Sequence, residues 1–219
     1  MSDSRAVVSK GQFLERPTLI PVRERVLDGL SHRGDARPPL LIIPPPPGQG
    51  GMDHPVAAEI AWAAARRGFA TLRFNFRGVG ASRGAPGGPE DRLEDCEAAL
   101  RMLEENAQVV TAAVASLGAS ASTACALIDL HPGTSGLCLI SPSDIPLADL
   151  ARVRVPLLAI AAEMDASLPR AALAAAVAEA GGRLELMPED DASFRRHLPE
   201  VGRAIGRWLE ELGSDSAKR

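Results

Sequence analysis

From about residue 38 to the end of the chain, short continuous apolar runs alternate with longer stretches whose apolar positions recur every three or four residues. The first run, Pro39-Leu40-Leu41-Ile42-Ile43, has no polar interruption, as expected of a strand buried on both faces. It stops at Pro44-Pro45-Pro46-Pro47 and Gly48-Gln49-Gly50-Gly51. A helix is predicted over 53–67, with Val56, Ile60 and Ala64 on one face and Gly68 as its stop. A strand over 69–74 and a glycine-rich stretch to Gly88 precede a helix over 89–105, whose buried side carries Leu93, Ala98 and Leu103. Strands are then predicted over 109–117, 136–140, 155–160 and 183–186. Helices fall over 120–130, 170–180 and from the last strand to about Leu212, with Gly181-Gly182 breaking the chain before that strand. Residues 18–30 alternate more weakly, through Ile20, Val22, Val26 and Leu30, and suit one or two antiparallel edge strands. Residues 1–14 and 213–219 read as mobile tails around a domain spanning 15–212.

Strand–helix–strand alternation of this length implies a mostly parallel, doubly wound α/β sheet of about seven strands with helices on both faces. At 219 residues the chain has room for one such domain, and its 46% apolar content can fill the core. A net charge of -4 without a basic cluster argues against nucleic acid or an anionic membrane as the main partner. Cys96, Cys125 and Cys138 have no CxxC spacing, and an odd set of thiols in apolar surroundings suits a reducing compartment. The opening MSDSRAVVSKGQ lacks an apolar signal core, and the alanine-rich run over 171–180 is too short to cross a bilayer, so a cytoplasmic location is expected. Only Lys10 and Lys218 are lysines among 24 basic residues, a skew typical of GC-rich bacterial genomes.

In such a sheet ligands bind at the carboxyl ends of the strands, which directs attention to the residues just past each apolar run. After the strand over 109–117 comes Gly118-Ala119-Ser120-Ala121-Ser122, a small-residue turn leading into a helix. That is the layout of a nucleophile elbow, G-x-S-x-G, with Ser122 in place of the last glycine. On this register Ser120 is the nucleophile and the Ala121 N–H an oxyanion donor; the competing reading is a serine that merely caps the helix.

The run Leu72-Arg73-Phe74-Asn75-Phe76-Arg77-Gly78-Val79-Gly80-Ala81-Ser82-Arg83-Gly84 resembles the signature of small lidless bacterial α/β-hydrolases, grouped loosely with the dienelactone hydrolases. The resemblance extends from about Leu40 to Leu209 and implies an α/β-hydrolase fold with no lid domain. In that family the loop after the first buried strand reads roughly HPHP, then GG and M-D-N. Here it reads Pro44 to Pro47, Gly50-Gly51 and Met52-Asp53-His54, so both histidines have become prolines. The resemblance makes Gly50 and Gly51 oxyanion or pocket residues, although proline has no N–H to contribute. Glu163-Met164-Asp165 with Pro169 resembles the family's G-E-x-D-x-x-x-P and puts Asp165 on the triad acid. Counting back without a gap from Leu209, the family's P-G-A-D-H-F-F falls on Pro188-Glu189-Asp190-Asp191-Ala192-Ser193-Phe194, which puts Ala192 where the catalytic histidine belongs.

An alanine cannot accept the serine proton, so the implied activity is weak or absent unless another histidine substitutes. His54 opens the first helix on the correct side of the sheet, and His197 would need a remodelled loop. His131 belongs at the opposite end of the sheet and His32 in a polar N-terminal loop. No zinc spacing or phosphate-binding loop is present, so no cofactor is implied. Arg77 is expected at the pocket rim, where it would suit a carboxylate. Three readings stand at this point: a hydrolase-family protein with little or no activity, an esterase or lactonase acting on small substrates through Ser120, Asp165 and a displaced histidine, or a module binding a small acid or a protein.

Overall fold

The computed structural model describes residues 14–167 and 169–216. The chain runs β1 (Arg16–Val22), β2 (Arg25–His32), β3 (Ala36–Ile43), α1 (Pro55–Ala65), β4 (Phe69–Phe74), α2 (Pro89–Ala107) and β5 (Ala113–Leu117). It continues through α3 (Ala121–Leu130), β6 (Gly136–Ile140), α4 (Leu147–Leu150), β7 (Leu157–Ala162), α5 (Arg170–Glu179), β8 (Arg183–Met187) and α6 (Leu198–Ser216). The strands form one eight-stranded sheet in the order β1-β2-β4-β3-β5-β6-β7-β8. From β4 across to β8 every neighbouring pair is parallel, whereas β1 pairs antiparallel with β2, and β2 antiparallel with β4.

The N-terminal alternation forms two antiparallel strands, β1 at the edge and β2 between it and β4, which brings the count to eight instead of about seven. β5 begins four residues later than the apolar run suggested: Val110 is 88% exposed in the turn after α2. Hydrophobicity there marks a connection, because pairing with β3 starts only at Ala113. α6 continues to Ser216, past the expected end at Leu212, while the tail segments 1–13 and 217–219 lie outside the described residues.

Period-two alternation divides β3 between two cores. Leu40 and Ile42 pack beneath α1 and α6 with Val56, Ile60, Val201 and Trp208. Leu41 and Ile43 face the opposite layer, with Leu100 and Leu103 of α2 and Leu127 of α3. Both faces of the central parallel strands are therefore covered, and β6 and β7 are apolar throughout, whereas the edge strand β8 carries Arg183 and Glu185. The three cysteines are free and buried, and burial pushes the Cys125 thiol up to about 12, so they act as small apolar core residues. Between β6 and β7 the only helix is the four-residue α4, so no lid domain is inserted there. Among the described residues no helix is long and apolar enough to cross a membrane.

Candidate functional site

β5 ends at the carboxyl edge of the sheet and passes through a 3-10 turn, Gly118–Ser120, into α3. The residue with left-handed backbone in this turn is Gly118, at φ +57, a conformation glycine adopts without the cost a Cβ would bring. Ser120, where the sequence pattern placed the strained position, has ordinary dihedrals of φ -81 and ψ 0. Its side chain is fully buried, and its Oγ donates to the Pro44 carbonyl at 2.6 Å. The Ala121 N–H donates to the Gly118 carbonyl and so closes the turn instead of standing ready for an oxyanion. The sharp bend expected around Ser120 thus lies two residues earlier. A Cβ built on Gly118 would meet nothing nearer than Ser143 Oγ at 3.9 Å, so space for a side chain exists there.

Gly118 forms part of the wall of a cavity of about 200 Å³ at the carboxyl ends of the central strands. The segment after β3 contributes Pro45 and His54, and the end of β6 contributes Ile140 and Ser141. Asp165 follows β7, while Ala192 and Phe194 follow β8. Parallel strands bring all these segments to one edge although nearly 150 residues of chain separate the first from the last. Asp165 is 8% exposed. Its Oδ1 accepts the Ser167 N–H at 3.0 Å and the Ser167 hydroxyl at 2.5 Å. Ser193 bonds through both its N–H and its hydroxyl to Asp191, whose carboxyl is held below its ordinary pKa by those two bonds.

The four histidines separate clearly. His54 caps α1, its Nδ1 accepting the Val56 N–H at 3.3 Å, and partial burial lowers its pKa. The neutral ring that burial favours carries its proton on Nε2, because Nδ1 is the acceptor. His197 does not line the cavity; its Nδ1 lies 3.2 Å from Asp190 Oδ2, and the same oxygen accepts the backbone N–H groups of Arg196 and His197. Asp190 therefore ties the start of α6 to the loop after β8. His131 ends α3 and faces Glu97 at 3.3 Å. His32 is not in a polar loop: it is the last residue of β2, 4% exposed, paired with Thr71 through the backbone and bonded to its hydroxyl at 2.9 Å.

Two further expectations change. Gly50 and Gly51 shape the segment after β3 but do not line the cavity. Gly50 sits at φ +145, and a Cβ on Gly51 would approach Asn75 Oδ1 to 2.5 Å, the same oxygen that accepts the Met52 N–H at 2.8 Å. Arg77 is not at the rim; it is 3% exposed and faces three carboxylates of α2. It donates to Asp95 Oδ1 through Nε at 2.9 Å and Nη2 at 2.6 Å, to Glu94 Oε2 at 2.6 Å, and also to Asp91. Its backbone N–H adds a bond to Asp95 Oδ2 at 3.0 Å, so the residue clamps the loop after β4 onto α2 and has no donor directed at the cavity.

Sequence reasoning passed over Ser141. It lies immediately beyond β6 at φ +42, is 7% exposed, and its hydroxyl has no partner among the described residues. The visible signal was Ile140-Ser141-Pro142-Ser143, a polar break at the end of a fully apolar strand.

No family model matches this chain, and no curated protein matches it. Solved structures do. An α/β serine hydrolase homologue from Coxiella burnetii superposes with a TM-score of 0.78 at 24% identity, covering 89% of this chain and 97% of that one. A lidless α/β serine hydrolase from Xanthomonas campestris gives 0.71 at 22% identity, covering 89% and 95%. Est1E from Butyrivibrio proteoclasticus, with ferulic acid bound, gives 0.78 at 16% identity, covering 89% and 98%. The fold is that of the lidless α/β-hydrolases.

Proposed function

We propose that this chain is an α/β-hydrolase-fold protein without serine-hydrolase activity that retains the cavity as a binding site for a small molecule. One observation carries the reading: Gly118, Asp165 and Ala192 share one cavity wall. They correspond to nucleophile, acid and base, and only the acid has kept a functional side chain. The register follows from the turn, since an elbow nucleophile occupies the sharp, strained residue between strand and helix and Gly118 holds that place. A hydrogen at the nucleophile position and a methyl group at the base leave no atom to attack a carbonyl and none to take a proton.

Rescue by Ser120 and a displaced histidine finds little geometric support. The Ser120 hydroxyl is buried and donates to Pro44, His197 faces Asp190, and His54 has Nδ1 engaged by its own helix. The test is labelling with a fluorophosphonate probe at neutral pH, alongside turnover of an activated acetyl ester. No labelling and no turnover above buffer are expected. Stoichiometric labelling that disappears in Ser120→Ala would overturn the proposal in favour of an active esterase.

A further inference from the structure

Asp165 contributes the one carboxylate on the cavity wall, and no Lys or Arg lines it among the described residues. Ser167 satisfies Oδ1, while Oδ2 has no protein donor among the described residues. His54, the other titratable group on the wall, is pushed by burial toward its neutral form and supplies no compensating charge. In a serine triad the acid holds an imidazolium; with Ala192 in the base position, that partner is missing and its volume is open. A carboxylate on the wall of a cavity that carries no cation is best matched by a positive group that also donates hydrogen bonds.

The rest of the wall narrows the ligand. Val56, Leu117, Ile140 and Phe194 are apolar and buried and line the cavity together with Asp165. The volume of about 200 Å³ lies below the range that holds drug-sized ligands. Ser141 adds a second feature: a buried hydroxyl without a partner among the described residues, on a non-glycine residue at positive φ, and backbone of that kind concentrates at ligand clamps.

We infer that the cavity binds a small organic cation, an amine with a short apolar or aromatic body, whose N–H group donates to Asp165 in the space left by the absent imidazole. This rests on the silent-hydrolase reading for that open space. It reverses the expectation of an acidic ligand, since Arg77 does not reach the cavity and the wall carries a carboxylate of its own.

Calorimetric titration of the full chain with benzylamine, benzyl alcohol and benzoate, at neutral pH and moderate salt, tests it. These probes share a ring and differ in charge. Benzylamine should bind, benzyl alcohol about tenfold more weakly or worse, and benzoate not measurably. Asp165→Asn should cost benzylamine at least about tenfold while leaving benzyl alcohol nearly unchanged. Ala192→His, which refills the space from within the chain, should weaken benzylamine similarly and guards against misfolding of the first variant. Benzoate binding as well as the amine, amine binding that survives both substitutions, or no amine binding at millimolar concentration would overturn the inference. Charge selectivity does not depend on turnover, so fluorophosphonate labelling would sink the silent reading separately.

Discussion

The hydroxyl of Ser120 donates to the carbonyl of Pro44 at 2.6 Å, joining the turn after β5 to the proline loop after the neighbouring strand β3. Proline nitrogens cannot donate, so the loop from Pro44 to Pro47 cannot be secured through its own amides. A hydroxyl from the adjacent strand end secures it instead. The same bond keeps Ser120 out of the cavity.

Ser120→Ala should therefore act on stability and not on reactivity. It leaves the Pro44 carbonyl without its donor and should destabilise by about 1–2 kcal/mol, read from urea denaturation. Unchanged stability would mean the bond is replaced by solvent.

Restoring catalysis should require two changes together. Gly118→Ser supplies the hydroxyl where a Cβ has room, at a backbone strain of about 1 kcal/mol, and Ala192→His supplies the base. The double variant should hydrolyse an activated ester on the order of ten- to a thousandfold faster than either single variant, limited by the amide-poor loop around Pro44. Adding Asp165→Asn should remove most of the gain, because the new imidazole loses its orienting carboxylate. Activity in Ala192→His alone would return the nucleophile to Ser120.

Arg77→Met should destabilise strongly, by about 3–5 kcal/mol in chemical denaturation, because fully buried Asp95 would be left without its cation. Arg77→Lys should recover only part of that loss, since an ammonium cannot reproduce the planar fork that serves Asp95 and Glu94 together. Neither change should alter binding in the cavity.

Mild acid should destabilise the fold through His32 and His54. Burial lowers both pKa values from the ordinary 6.5, so below that pH the unfolded chain takes up protons that the folded chain refuses. Their contribution is complete above 6.5 and is lost as pH falls toward the lower folded values. Resonance titrations should place both midpoints below 6.5, and His32→Gln should flatten the fall in stability on acidification.

Backbone periodicity was readable in one dimension because burial on two faces demands uninterrupted apolar runs. Phe69–Phe74 and Gly136–Ile140 are buried along their whole length where those runs stand. Val110 shows the limit of that signal, being apolar yet exposed, since a run does not say which of its residues finds a pairing strand.

The site divided differently. Asp165 and Ala192 could be singled out because each has a recognisable neighbourhood, Glu163 to Pro169 and Pro188 to Phe194. The elbow pattern pointed to Ser120, but small residues recur at every second position, Ser116, Gly118, Ser120 and Ser122, and a local pattern of that kind does not say which of them takes the bend. Only the sign of φ distinguishes the registers: one residue must take the left-handed bend, and Gly118, lacking a Cβ, takes it. Arg77 was visible as a cation in a glycine-rich loop, but its partners Asp91, Glu94 and Asp95 reach it only when α2 packs against that loop. The order of residues thus determined the strands, the helices and the kinds of side chain available. The meeting of distant strand ends decided which of those side chains face the cavity, because that depends on backbone dihedrals and packing that no local pattern specifies.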